Sequence, residues 1–216
     1  MFTVREYQGR VNAILQEPRL VIDGMNGPNT RNGIAEAMKI RRVRKKEDLF
    51  NRGVRGVVWH WTAGANGLIE LEKEAYNFLT DTKGNIYDGN STIAEQVNYD
   101  WRQGIGASHT KSMNTGWVGI SQDAMAGANG WPMNWGSHPI TWEGIDAMLE
   151  QTWDVCKEYK IPVSRWTTLS HAEVQPTLGI PQRNKWDYMV LPGYVRPEDP
   201  VKIGDILRNR MLEKFS

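Results

Sequence analysis

Residues 55–64 read RGVVWHWTAG, a short run of β-branched and aromatic residues that ends in a turn. Such a run predicts a buried strand, with His60 near its end. The segment YNFLTDTKGNIYDG at 76–89 predicts two strands joined at Thr82-Lys83-Gly84. GWVGIS at 116–121 predicts a further strand.

Helical spacing dominates the second half of the chain. Apolar residues recur every three or four positions in ITWEGIDAMLEQTWDVCKEYKI, residues 140–161, and Thr141 is the expected N-cap. VKIGDILRNRMLEKF at 201–215 predicts a final amphipathic helix. Strands mixed with helices predict an α/β fold with a central mixed sheet flanked by helices.

The N-terminal part has a different organisation. Two short helical patterns within residues 11–40 flank the turn-rich stretch IDGMNGPNT, and Thr30 is the expected N-cap of the second helix. The basic run at 40–53 predicts a solvated linker or helix face. We therefore expect a small helical module over residues 1–48 and a main domain over residues 54–216.

Composition excludes several classes of protein. The 216 residues allow one ordinary domain and a small module. With 26 Lys and Arg against 25 Asp and Glu, no excess of charge favours nucleic acid or an anionic membrane. The only cysteine, Cys156, cannot form an internal disulfide or a Cys-rich metal cluster. The ten tryptophans either pack in a core or form a carbohydrate-contacting surface.

The first residues, MFTVREYQGRVNAIL, lack the apolar run of a signal peptide, and no stretch approaches the length that spans a bilayer. We therefore expect neither a signal peptide nor membrane insertion.

Three histidines, His60, His109 and His171, end apolar segments or lie in loops beside them. Neutral imidazole is the commonest zinc ligand, although a single buried histidine is more often a hydrogen-bonded core residue. Spacing alone leaves both readings open.

The segments around these histidines carry a resemblance to a known family. VVWHWTAG, AYNFLTDTKGNIYDG, GASHTKSMNTGWVGIS and LSHAEVQPTLGIPQRNKWD occur in this order. In order and spacing they resemble the zinc-dependent N-acetylmuramoyl-L-alanine amidases, the family that includes small phage lysins and peptidoglycan recognition proteins. The resemblance covers about residues 54–190.

The resemblance implies a single Zn²⁺ per chain held by His60, His171 and Asp187. Asp187 lies sixteen residues after His171, farther than this family leads us to expect, and YMVLPG follows where Pro-Gly is usual. An inserted loop would explain both departures. Glu173 is the alternative third ligand, and Cys156 is a poor one because it lies in an apolar helical stripe.

The resemblance also implies catalytic and substrate-binding residues. Lys185 matches the family's oxyanion-stabilising lysine, and Tyr76 matches a tyrosine of phage-type members, with Ser121 where other members carry glutamate. The residues expected to contact substrate are His109, Asn114, Trp59 and Thr62. His138, in the insertion over residues 123–140, has no counterpart and is expected at the surface.

The turn-rich N-terminal segment resembles the peptidoglycan-binding module of many cell-wall hydrolases. The matching residues are Leu15, Gln16, Val21, Asp23, Gly24, Gly27, Pro28, Thr30 and Arg31. A helical hairpin packed on the main domain is the competing interpretation.

Together these features predict a monomeric amidase that cleaves between N-acetylmuramic acid and L-alanine in peptidoglycan. We expect a phage or prophage endolysin that stays in the host cytoplasm until a holin opens the membrane. The alternatives are a peptidoglycan-binding protein without activity, a zinc peptidase of the stem peptide, and a cytoplasmic recycling amidase.

Overall fold

A computed structural model describes residues 1–216. Its centre is a five-stranded sheet in the order β3-β2-β4-β1-β7. The strands are β1 (Gly56–Trp61), β2 (Phe78–Thr80), β3 (Ile86–Asp88), β4 (Trp117–Gln122) and β7 (Thr168–Ser170). Only β3 runs antiparallel to its neighbour, so the predicted mixed sheet and the hairpin turning at Thr82-Lys83-Gly84 are confirmed.

Helices cover both faces of this sheet. They are α3 (Glu70–Ala75), α4 (Ile93–Val97), α5 (Trp142–Glu158), α6 (Val174–Leu178) and α7 (Pro200–Phe215), with a 3₁₀ turn at His171–Glu173. Thr141 caps α5 as predicted, because its hydroxyl accepts the Gly144 amide at 3.1 Å. No helix has the length and apolar character needed to cross a membrane.

Strand β1 places its residues alternately on the two faces of the sheet. Trp59 and Trp61 pack with α5 and α7 in the main core of 21 buried residues. Val58 packs on the other face in a smaller cluster with Leu178 of α6. His60 lies two residues after Val58 in β1, so its side chain points to the same face as Val58, away from the main core.

The N-terminal region is a helical pair with its own small core. Helices α1 (Val4–Leu15) and α2 (Pro28–Arg41) enclose a cluster that extends to Leu49 and Phe50, slightly beyond the expected boundary at residue 48. Two 3₁₀ turns, Lys46–Leu49 and Asn51–Gly53, follow. The predicted N-cap at Thr30 is wrong: Gly27 is the N-cap, because Pro28 begins the helix with its fixed φ.

This module is docked on the main domain. The buried Arg10 guanidinium donates to the carbonyl oxygens of Val54 and Arg55, at 3.1 and 2.7 Å. Glu6 forms an ion pair with Arg55. Gly9 lies against the side chains of Trp166 and Leu178. The predicted helical hairpin is therefore packed on its neighbour.

The insertion over residues 123–140 forms a small hairpin of β5 (Asn129–Gly130) and β6 (Met133–Asn134). His138 is partly exposed there, and its Nδ1 lies 2.8 Å from the Ser137 hydroxyl.

Candidate metal centre and active site

Three potential ligands meet at one end of the sheet. His60 lies near the end of β1, His171 follows β7 directly, and Asp187 comes from the long loop before α7. The Nδ1 atoms of His60 and His171 lie 3.2 and 3.4 Å from Asp187 Oδ2. All three side chains are buried. The structure thus brings together the three residues expected to hold zinc.

Gln182 determines the tautomer of His171. Its Nε2 donates to the Lys111 carbonyl oxygen at 3.0 Å, so its Oε1 faces His171 Nε2 at 3.1 Å. An amide oxygen only accepts hydrogen bonds, and His171 must therefore carry its proton on Nε2. The Nδ1 lone pair is left facing Asp187.

His109 determines the tautomer of His60. The Nε2 of His109 lies 3.0 Å from the Trp117 carbonyl oxygen and must donate to it, which leaves the Nδ1 of His109 as an acceptor. That Nδ1 lies 3.1 Å from His60 Nε2, so His60 also carries its proton on Nε2. Both histidines therefore present an Nδ1 lone pair to the same carboxylate.

This donor set fits a zinc ion. At Zn–ligand bonds of about 2.0–2.1 Å, the ligand atoms of a tetrahedral site lie about 3.3–3.4 Å apart, which matches the two distances to Asp187 Oδ2. Two lone pairs and a carboxylate repel one another unless a cation lies between them. His, His and Asp also leave a fourth position for water.

The pKa values favour ligand forms at neutral pH. Burial lowers the pKa of His60 to about 4, against the opposing influence of Asp187, so its imidazole is neutral. Burial alone would raise the pKa of Asp187, but its close contacts with His171 and His60 outweigh burial and the pKa is lowered. Burial, and then the neighbouring His60, hold the pKa of His109 well below its usual range.

Neither rival ligand is available. Both Glu173 oxygens are used by Arg208, at 2.7 and 3.3 Å, and by the Ser170 amide at 2.8 Å, in a fully buried ion pair. Cys156 is buried in α5 within the main core, where burial raises the pKa of its thiol to about 12.

The two predicted catalytic side chains lie beside the centre. The ring of Tyr76 is 5.1 Å from that of His60. Burial, and then the Asp187 carboxylate, raise the pKa of Tyr76, so its hydroxyl keeps its proton. Lys185 is exposed, two residues before Asp187, and forms no ion pair. Their catalytic roles stay predictions.

The expected substrate contacts need correction. Trp59 is wrong, because it is fully buried on the opposite face of β1 and donates to Thr152 at 2.9 Å. His109 is buried against His60, so it orients that ligand and does not line a groove. Asn114 accepts the amides of His109 and Thr110 and shapes their loop. Thr62, half-buried, uses its hydroxyl in the turn with Asp123 and Gly64.

The residues expected to bind the wall mainly build the module. Asp23 accepts from Gln8 and from the Met25 amide, Gly24 adopts a positive φ, and Arg31 donates to the Asn26 carbonyl oxygen. Thr30 is buried and donates to the Met25 carbonyl oxygen. Leu15 packs against the module's core, while Gly27 and Pro28 begin α2.

Comparison with known proteins identifies the family. The N-acetylmuramoyl-L-alanine amidase family matches residues 50–193, more than half of the chain. The chain belongs to this family. No curated protein matches it. Membership makes the chain a peptidoglycan amidase. This agrees with the resemblance found in the four sequence segments between residues 54 and 190.

Two solved structures are similar to this amidase. They are the N-acetylmuramoyl-L-alanine amidase LysC and the endolysin N-acetylmuramoyl-L-alanine amidase LysCS, both from Clostridium intestinale. Each is 15% identical over 74% of this chain, covering 89% and 88% of the two relatives, with TM-scores of 0.42 and 0.43.

Sequence reasoning missed two residues of the amidase site. Gln182, which orients His171, lies in the loop that lengthens the interval between the second and third ligands. Tyr188 is fully buried and donates to the His60 carbonyl oxygen at 3.1 Å. The long interval between His171 and Asp187 could have pointed to Gln182, because a loop inserted between two residues of a site can fold back and contact them.

Proposed function

We propose that this amidase is zinc-dependent, binds one Zn²⁺ through His60, His171 and Asp187, and hydrolyses the bond between N-acetylmuramic acid and L-alanine. The observation that carries the proposal is the convergence of two Nδ1 lone pairs on the Asp187 carboxylate. Zinc bound there would supply the acidity of a coordinated water and polarise the scissile carbonyl.

The chain's own residues divide the remaining work. His109 and Gln182 hold the two imidazoles in the tautomer that exposes Nδ1. Tyr76 keeps its proton and donates a hydrogen bond toward the tetrahedral oxyanion. Lys185 adds a positive charge at the same edge. The side chains of His60, His171 and Asp187 are buried, so bulk water has little access to them.

The reaction is tested by digesting purified sacculi and analysing the products by mass spectrometry. New free L-alanine amino groups are expected. New reducing sugar ends, or cuts within the stem peptide, would overturn the assignment, and binding without cleavage would support the non-catalytic alternative.

The ligand set is tested by metal analysis of three single variants. His60→Ala, His171→Ala and Asp187→Ala should each lose zinc and activity together. Lys83→Ala, in the exposed β2–β3 turn, is the control and should keep one zinc per chain. Stoichiometric zinc in Asp187→Ala would show that this carboxylate is not a ligand.

We further propose that the enzyme serves host lysis as a phage or prophage endolysin, working as a monomer and held in the host cytoplasm until a holin opens the membrane. The support is the helical module outside the family match, which resembles a wall-binding module. Expression in a bacterial cytoplasm should leave cells intact until a holin is co-expressed. Lysis without a holin would contradict this part of the proposal.

A further inference from the structure

The hairpin of β5 and β6 presents a tryptophan to solvent from a fixed base. Trp131, at its tip, is 65% exposed. Met133 and Trp135 pack on the main core at the hairpin's base. Gly130 is seated so closely that a Cβ there would lie 3.1 Å from Pro197 and 3.5 Å from Trp186. The exposed indole is therefore held in place and not carried on a loose loop.

An aromatic row connects this tip to Trp186, in the loop that carries Lys185 and Asp187. The rings of Trp131 and Trp186 are 6.4 Å apart, and those of Trp186 and Trp61 are 4.7 Å apart. Trp61 follows His60 in β1, and Trp186 lies between Lys185 and Asp187. The ring of Trp61 lies on the face of the sheet opposite His60, so the row approaches the candidate ligands only through Trp186, and a group resting on Trp131 would lie beside the loop that carries Asp187.

The chemistry of the hairpin favours a neutral ligand. Between Asp123 and Glu143 the chain contains no Asp, Glu, Lys or Arg. No cation covers the Trp131 ring, whereas Arg102 lies over Trp101, 5.4 Å from the ring centroid. A free indole face suits the flat apolar face of a sugar ring, while the carboxylates of a stem peptide would be drawn to cations.

We infer that the tip of this hairpin is a saccharide-binding subsite, in which Trp131, backed by Trp186, holds a sugar of the glycan strand next to the muramyl residue being cut. The inference rests on the proposed function. It assigns a role to the insertion over residues 123–140 and divides the substrate, with glycan along the tryptophans and the scissile amide at the ligands.

The test compares Trp131→Ala with Trp101→Ala, a control of matched exposure at 68% whose ring is already covered by Arg102. Each variant and the wild type are given two substrates with the same stem peptide, one carrying a single muramyl sugar and one carrying a tetrasaccharide. Circular dichroism and zinc content establish that the variants are folded and metal-loaded.

Trp131→Ala should lower kcat/KM about tenfold on the tetrasaccharide and less than twofold on the single-sugar substrate, while Trp101→Ala changes neither. Trp131→Phe should recover most of the loss, because a phenyl face still stacks on a sugar. Equal losses on both substrates, or no loss on either, would overturn the inference.

Binding of an uncharged N-acetylglucosamine oligomer, followed by titration calorimetry, separates this inference from the proposed function. If the wild type cleaves neither substrate, the proposed function has failed, yet weaker oligomer binding by Trp131→Ala than by Trp101→Ala would still support the subsite. Equal binding by both variants would refute it.

Discussion

Each candidate ligand histidine has its closest hydrogen-bond acceptor at Nε2, on the far side of the ring from Asp187: Gln182 Oε1 for His171 and His109 Nδ1 for His60. Such partners commonly change metal affinity by about 10–100-fold. We therefore expect Gln182→Leu to weaken zinc binding by about this factor, measured by chelator competition. Gln103→Leu, at an exposed loop, is the control. Unchanged affinity in Gln182→Leu would show that Gln182 does not fix the His171 tautomer.

Tyr76 and Lys185 are expected to act on the transition state and not on the metal. Tyr76→Phe and Lys185→Ala should each lower kcat by about 10²–10³-fold, the effect of losing one oxyanion donor, with one zinc still bound. The readouts are single-turnover kinetics and metal analysis. If Lys185→Ala kept the full kcat, the lysine would be a solvated surface residue, as its exposure also permits.

At the scale of single residues, the sequence could predict the three candidate ligands that the structure brings together, but not their orientation. His60, His171 and Asp187 lie in recognisable motifs, whereas the contacts of His109 and Gln182 join loops far apart in sequence. The error at Trp59 was avoidable. Alternation along a strand sends neighbouring residues to opposite faces, so Trp59 cannot share a face with His60.

Helices α5 and α7 are joined by an ion pair with an unusually good geometry. Arg210 contacts both oxygens of Asp146, at 2.5 and 2.7 Å, and Lys214 adds a third contact at 2.6 Å. Burial opposes ionisation, but hydrogen bonds from Arg210 and Lys214 prevail and lower the pKa of Asp146. The carboxylate therefore stabilises the fold above its unfolded pKa of about 3.9, and this contribution is lost as the pH falls through the lowered value.

The variant Asp146→Asn tests this pH-dependent contribution of Asp146 to stability. The variant should lose about 1 kcal/mol of unfolding free energy at pH 7, since the pair is partly exposed to solvent. The difference from wild type should shrink toward zero below about pH 4. Urea unfolding across this range is the measurement, with Asp154→Asn as the control, because Asp154 is an exposed residue of the same helix without an ion pair. A difference that does not depend on pH would refute the explanation.

Whole elements were predictable where the signal is local. The strand at 55–64, the hairpin at Thr82-Lys83-Gly84 and the cap at Thr141 each depend on neighbouring residues alone. The N-cap prediction at Thr30 was wrong because the helix already begins at Pro28, two residues before this good N-cap residue. The β5–β6 hairpin was not predicted within the insertion over residues 123–140, since two-residue strands leave almost no periodic signal.

For the molecule as a whole, the decisive relation is between the N-terminal module and the catalytic domain. Every candidate ligand and proposed catalytic residue lies beyond Val54, and the module's own core ends at Phe50. Yet Arg10, Glu6 and Gly9 all contact the catalytic domain. The sequence left a wall anchor and a packed hairpin as alternatives. The structure shows the packing, and a wall-binding role remains compatible with it.

A chain starting at Arg52 should therefore keep its chemistry but lose stability and wall binding. Removing the module deprives the Val54 and Arg55 carbonyl oxygens of their donor and uncovers Trp166 and Leu178. We expect the melting temperature to fall by about 5–10 °C, the equivalent of a few kcal/mol for a chain of this size. Below that temperature the truncated enzyme should bind one zinc and cleave a soluble muramyl-peptide at close to the full rate.

Cosedimentation with sacculi separates the two roles of the module, because tethering raises the effective concentration of substrate at the catalytic site. The full chain should cosediment with sacculi and lyse them, while the truncated chain should do both poorly. The full-length variant Arg10→Met is the control, since it weakens the docking contact with Val54 and Arg55 but keeps the module's surface. It should lose stability and still bind the wall. If the truncated chain is folded, zinc-loaded and cosediments as strongly as the full chain, the module is a structural brace of the catalytic domain and not a wall anchor.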